Sequence, residues 1–328
     1  MMIVPQYWAE ARRRHRDSKR QITVRRFGWS DLSERDAQIM ADARAEEALR
    51  EAVAGRKVAR RERKVPYGGA QGLPIREEVI ARAGDAVITR NAYGARCLNT
   101  PDALFADVDF ETSGSLKLKF GIFTALLIAA AVLVWGYDYP LWFGITIAVA
   151  ALSVSARLGN LVAKLRVALS GGHEWQARRR LLAFLAAHPD WSVRLYRTPA
   201  GLRLLVTHAP QIPVDASVEE FLLAVGTDPV YITMCRYQHC FRARLTAKPW
   251  RIGIESHMKP RPGVWPVRPE RRAERAAWIA RYEAQAARYA ACAYVESVGS
   301  GAVHAKLAPL IELHDRECRA LAAGTPLA

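Results

Sequence analysis

The sequence predicts an α+β protein: a mixed or antiparallel sheet with flanking helices, and a two-helix transmembrane hairpin inserted between its strands. Three observations lead there. Residues 120–137 and 139–156 carry no charged side chain, and about 18 such residues suffice to span a bilayer core. Short stretches at 86–90, 103–110, 191–198, 202–208 and 241–246 have the composition or alternation of strands. Helix-period stretches at 33–64, 174–188 and 270–289 are interleaved with them.

In chain order, residues 1–66 form a basic N-terminal region. Within it 21–27 (QITVRRF) alternates as a short strand, and 33–64 reads as a long helix rich in Ala, Arg and Glu, with Ser30 or Ser33 as N-cap. Its basic end, 56–64, suits a solvated face, lipid headgroups or nucleic acid. A turn or linker follows at 67–73 (YGGAQGL), then a helix at 75–82 and strands at 86–90 and 103–110. Residues 67–116 make the first part of the α+β domain.

Residues 117–166 are the expected hairpin. Trp135, Tyr137, Tyr139 and Trp142 cluster about its turn, as an interfacial aromatic belt would. Lys117 and Lys119 precede the first span, Arg157, Lys164 and Arg166 follow the second, and the turn at 136–140 has neither Lys nor Arg. The positive-inside rule then puts both termini in the cytoplasm, with the chain in the cell inner membrane. A buried hairpin of core helices is the alternative, but such helices rarely lack charge over this length.

The α+β domain resumes at 167–258. Helix 174–188 carries Trp175, Leu181, Leu182 and Leu185 on one face. Strands 191–198 and 202–208 are joined by the turn Pro199-Ala200-Gly201, a helix follows at 217–225, and a strand at 241–246. Residues 259–328 are a Pro-rich linker and a helical region: helix 270–289, strand 292–298 and helix 308–323.

The chain has 328 residues, 48 Lys and Arg against 32 Asp and Glu, and a net charge of +16. Such an excess favours polyanionic partners: nucleic acid, nucleotides or an anionic membrane face. Five scattered cysteines give no disulfide framework, and the N-terminus lacks the apolar core of a signal peptide. Among the cysteines, His314 and Cys318 form H-x₃-C, while Cys235, His239 and Cys240 lie elsewhere in sequence. Neither group has C-x₂-C spacing, so structural zinc is not expected.

Three constellations suggest chemistry. Asp107 and Asp109 sit two apart on a strand and share a face, where Mg²⁺ or Mn²⁺ would relieve their repulsion; Glu111 would extend the set. The hairpin at 196–203 offers Thr198, Arg197 and Arg203 to phosphate oxygens, with Gly201 permitting close backbone approach. Asp228 is followed by the basic strand 241–246, whose Arg242 and Arg244 share a face, with Lys248 beyond.

The order of these elements, an acidic pair on a strand, a Gly-containing hairpin and a later Asp with a basic strand, resembles the archaeo-eukaryotic primase (primase-polymerase) superfamily. The likeness covers about residues 86–250 with the hairpin set aside. It implies that Asp107, Asp109 and Asp228 are catalytic residues holding divalent metal, and that Thr198, Arg203, Arg242, Arg244 and Lys248 bind the nucleotide. The family's nucleotide-contacting His is replaced by Arg203, and the membrane insertion is foreign to it. Two functions are therefore expected in parallel. One is a membrane-anchored, Mg²⁺- or Mn²⁺-dependent nucleotide-binding or nucleotidyltransferase-like domain. The other is a non-catalytic membrane protein whose basic face binds anionic lipid, nucleic acid or a protein partner.

Overall fold

The structure, a computed structural model, describes residues 4–18, 20–62, 74–110, 116–136, 140–255, 257–261 and 265–328. The linker at 67–73, Glu111, and Tyr137 and Tyr139 of the expected aromatic belt lie outside the described residues. The architecture is α+β with antiparallel sheets, and the apolar helix pair is placed between strands.

The chain opens with a hairpin of β1 (Tyr7–Arg16) and β2 (Gln21–Ser30), paired along their full length from Tyr7–Ser30 to Arg16–Gln21. β1 was not expected, because its run of Arg on the open face hides the inward Trp8 and Ala11. Helix α1 (Glu34–Val53) starts where Ser33 accepts a hydrogen bond from Asp36 N at 3.0 Å. It buries Ala37, Ala41, Ala45, Ala48 and Ala52, an i, i+4 stripe of small residues that brings its backbone down onto β2. Gly28 completes the fit, since a Cβ there would run into the backbone of Ala37 and Ala41. The helix ends well before the expected residue 64. Gly55, at φ +84°, turns the chain out, and the extended segment beyond it bridges Arg61 to Arg25 of β2.

Two four-stranded antiparallel sheets follow. One has the order β3 (Glu78–Ala83), β4 (Ala86–Arg90), β5 (Arg96–Thr100), β9 (Phe241–Arg244). The other runs β10 (Ala293–Gly299), β7 (Ser192–Arg197), β8 (Gly201–Val206), β6 (Phe105–Asp109). The expected helix at 75–82 is instead edge strand β3. Its Arg-Glu-Glu start has helical propensity, but the Gly84-Asp85 turn pairs Ala83 with Ala86, and cross-strand pairing wins. The edges β6 and β9 meet through the half-buried Tyr231, whose hydroxyl donates to Phe105 O at 2.9 Å and accepts from Arg242 N at 3.2 Å.

Between β6 and β7 stand α2 (Leu116–Gly136), α3 (Leu141–Leu169) and α4 (Gly172–Ala187). Helices α2 and α3 are long and apolar enough to cross a membrane. Only 6% and 17% of their most apolar windows are buried within the protein. A core hairpin would bury that surface; here it is open. Helix α3 runs past the expected residue 156, through Arg157 and Lys164, and meets α4 at Gly171 and Gly172, both at positive φ. Lys117 and Lys119 fall inside the first turn of α2 rather than ahead of it. The exit of β6 and the start of α4 are held together by Phe110 stacked on His173, centroids 5.5 Å apart.

Helix α4 packs on α5 (Ala216–Val225) and the second sheet through Ala177, Leu181, Phe184 and Leu185. Trp175 and Leu182, expected on that face, are 48% and 54% exposed. Helix α6 (Pro229–Gln238) follows α5, with Asp228 as its N-cap and Pro229 at the first helical position. Helices α7 (Arg272–Ala286) and α8 (Ala308–Cys318) frame β10; α7 packs Trp278 and Tyr282 into a second core with Ala247, Ile252 and Met258.

Candidate functional site

The pleat of β6 places Phe105, Asp107 and Asp109 on one face, as the two-residue spacing requires. Across the ladder Asp107 pairs with Arg203 and Asp109 with Gly201. The expected closeness of Gly201 is real, but what approaches is β6: a Cβ at Gly201 would meet the carbonyl of Val108 and the backbone of Asp109.

Asp107 is engaged by Arg203, whose Nε reaches Oδ1 at 2.8 Å and whose Nη2 reaches Oδ2 at 3.1 Å. Arg203 is 1% exposed, and Nη1 also donates to Arg244 O at 2.8 Å. Burial alone would raise the Asp107 carboxyl, yet the charge and hydrogen bonds of Arg203 hold it below the usual range. Burial likewise opposes the Arg203 charge, and Asp107 more than restores it. This fork satisfies a buried guanidinium and takes both oxygens of the acid. Asp228 serves elsewhere, accepting from Val230 N at 2.9 Å as the cap of α6. Among the described residues, Asp107, Asp109 and Asp228 do not form a group of ligands close enough to share a metal ion.

The expected phosphate-binding side chains divide in two. Thr198 closes its own turn, accepting from Gly201 N at 3.0 Å. Arg203 belongs to Asp107. Arg242 is held by both oxygens of Glu77, at 2.6 and 2.8 Å, and by Asn99 Oδ1 at 3.0 Å. Arg244 and Lys248 make no ion pair among the described residues. Arg251, in the 3-10 turn Pro249–Arg251, joins them and was not singled out by the sequence, because it lies outside any periodic element.

These three cations crowd one another. Burial lowers the pKa of Lys248, and the charges of Arg244 and Arg251 lower it further. Burial and Arg244 do the same to Arg251. Arg251 Nη1 is buried and has no hydrogen-bond partner among the described residues. The cluster has an aromatic wall: Lys248 Nζ lies 5.6 Å from the ring centre of Trp250, which is 49% exposed and set edge-on to Tyr93 at 5.3 Å. The carboxylates acting on it are Asp109, which is exposed, and the engaged Asp107.

On the other side of Arg203 lies a second group. Cys292, His314 and Cys318 are buried, and their Sγ and ring-nitrogen atoms all lie within 4.8 Å of one another. His314 Nδ1 is 3.1 Å from Asp315 Oδ1, and Asp315 Oδ2 accepts from Arg194 at 2.7 Å. The H-x₃-C spacing was visible in the sequence; Cys292, delivered at the start of β10, was not. Comparisons with protein-family models, curated proteins and solved structures find no match to this chain. The primase-polymerase likeness therefore rests on the order of its motifs alone.

Proposed function

We propose that the protein is membrane-anchored through α2 and α3, and that its cytosol-facing α+β domain binds a nucleoside polyphosphate at Arg244, Lys248 and Arg251. The observation that carries this reading is the buried, unpartnered Nη1 of Arg251 within a group of cations that make no ion pair among the described residues. Like charges brought together at a cost to their own ionisation gain most from an anion that joins them. Phosphate oxygens match guanidinium and ammonium donors, and the exposed Trp250 offers a base a stacking surface.

The same arrangement does not favour metal-dependent nucleotidyl transfer through three carboxylates, since Asp107 is bound to Arg203 and Asp228 caps a helix. Asp109 is the acid left in position to meet a Mg²⁺ or Mn²⁺ ion carried in on the phosphates. The membrane surface is the competing source of phosphate, because α2 begins at Leu116, only a few residues after Asp109.

The test is equilibrium binding of a fluorescent nucleoside triphosphate to the detergent-solubilised full-length protein and to an Arg244→Gln/Arg251→Gln variant. Saturable binding that weakens more than tenfold in the variant supports the reading, since hydrogen bonds to charged groups contribute about 1.5–3 kcal/mol each. Equal binding by both proteins overturns it. So does binding only to anionic-lipid vesicles, which assigns the cluster to headgroups.

A further inference from the structure

We infer that Cys292, His314 and Cys318 form a site for a thiolate-preferring metal ion of the zinc class, unconnected with the carboxylates that the sequence suggested. His314 and Cys318 stand four apart on α8 and so share one face of the helix. Cys292 comes to them from the edge of β10, where Ala291 N donates to Cys318 O at 3.0 Å. The separations suit a tetrahedral centre. With Zn–S and Zn–N bonds of ordinary length, sulfur and nitrogen lie about 3.6 Å apart and two sulfurs about 3.8 Å apart. His314 Nε2 is 3.9 Å from Cys292 Sγ, and all three donor atoms fall within 4.8 Å. The Arg244 carbonyl, 3.7 Å from Cys318 Sγ, is taken by Arg203 Nη1 at 2.8 Å, so the protein supplies three ligands and a fourth would come from solvent.

A second, independent observation concerns the imidazole. Asp315 holds Nδ1 at 3.1 Å and is itself held by Arg194. A carboxylate in that place fixes the proton on Nδ1, the support found behind metal-bound histidines. It leaves the Nε2 lone pair to Arg203 Nη1 at 3.4 Å and Cys292 Sγ at 3.9 Å, so a bound ion would displace the contact with Arg203. Charge also balances. Two thiolates and a neutral imidazole around a divalent ion sum to zero, so a filled site adds no net charge beside Arg203, already neutralised by Asp107. All three ligands are at most 1% exposed, so a bound ion would lie sealed in the core and tie α8 to the start of β10.

The test uses the full-length protein with Zn²⁺ alone and with Co²⁺ as a spectroscopic substitute. One equivalent of Co²⁺ should give the ligand-field bands of a tetrahedral ion and thiolate-to-cobalt charge-transfer absorption, both displaced by Zn²⁺. Cys318→Ser should abolish the charge-transfer band of one thiolate, and Asp315→Asn should weaken zinc binding about 10–100-fold. Cys235→Ser should change neither. If Cys318→Ser fails to fold, the wild-type cobalt spectrum decides by itself. Absence of tetrahedral bands, or bands unchanged in a folded Cys318→Ser protein, overturns the proposal.

Discussion

The pairing of Asp107 with Arg203 predicts an asymmetry between its two halves. Arg203 is sealed, with 1% of its side chain exposed, whereas Asp107 keeps 41%. Removing Asp107 strands a guanidinium in the core, with Arg244 O and the imidazole of His314 as its remaining neighbours. Removing Arg203 leaves a carboxylate that water can reach. Breaking a buried pair by deleting one partner costs about 3–5 kcal/mol, and Asp107→Ala is expected in that range. Arg203→Met loses charged hydrogen bonds but frees no sealed charge, and its carboxylate partner is reached by water, so about 1.5–3 kcal/mol is expected. At roughly 2–4 °C per kcal/mol, Asp107→Ala should lower Tm by on the order of 10 °C and Arg203→Met by a few degrees. Thermal unfolding of the solubilised full-length protein, followed by circular dichroism, reads both. Equal losses, or a larger loss for Arg203→Met, would refute the reasoning. Acid acts on the same bond: because the folded carboxyl lies below its unfolded value, the pair stabilises above the ordinary carboxylate range, and that stability is lost as pH falls through the folded value.

The Lys248 ammonium is held below its usual range by burial and by Arg244 and Arg251, and a bound phosphate would raise it again. Binding should therefore take up protons and weaken as pH rises through the free value. A titration of affinity against pH in which Lys248→Arg shows the same alkaline loss would contradict this. Gly28→Ala should destabilise the β1–β2–α1 unit by about 1–3 kcal/mol, because the added methyl meets helix backbone that cannot yield; a melting temperature equal to wild type would count against the close packing of α1 on β2. In inside-out membrane vesicles, protease should reach the segments on both sides of α2–α3 while sparing the helix pair, and alkaline carbonate should leave the protein in the pellet. Release into the supernatant would mean the helices do not span.

Much of the fold was legible wherever one local signal decided. The charge-free runs became α2 and α3, Ser33 capped α1, and Pro199-Ala200-Gly201 turned β7 into β8. Errors arose where local and tertiary preferences disagree. In β3 the Glu and Arg favour a helix but pairing with β4 prevails, and in β1 exposed arginines obscure Trp8 and Ala11. The site was legible in halves. Two-residue spacing put Asp107 and Asp109 on one face, yet the partner that claims Asp107 lies 96 positions away. Alternation drew attention equally to Arg242 and Arg244, and only packing shows that Glu77 takes the first. Arg251 sits in a 3-10 turn and Cys292 at a strand start, where no period marks them.

The most direct test of a nucleotide at the cation cluster is photocrosslinking with an azido-adenine nucleoside triphosphate in native membranes, followed by peptide mapping. Adducts on the segments carrying Tyr93 and Trp250, competed away by unlabelled triphosphate, are the predicted result. Labelling confined to other segments, or labelling that excess triphosphate does not displace, would contradict it.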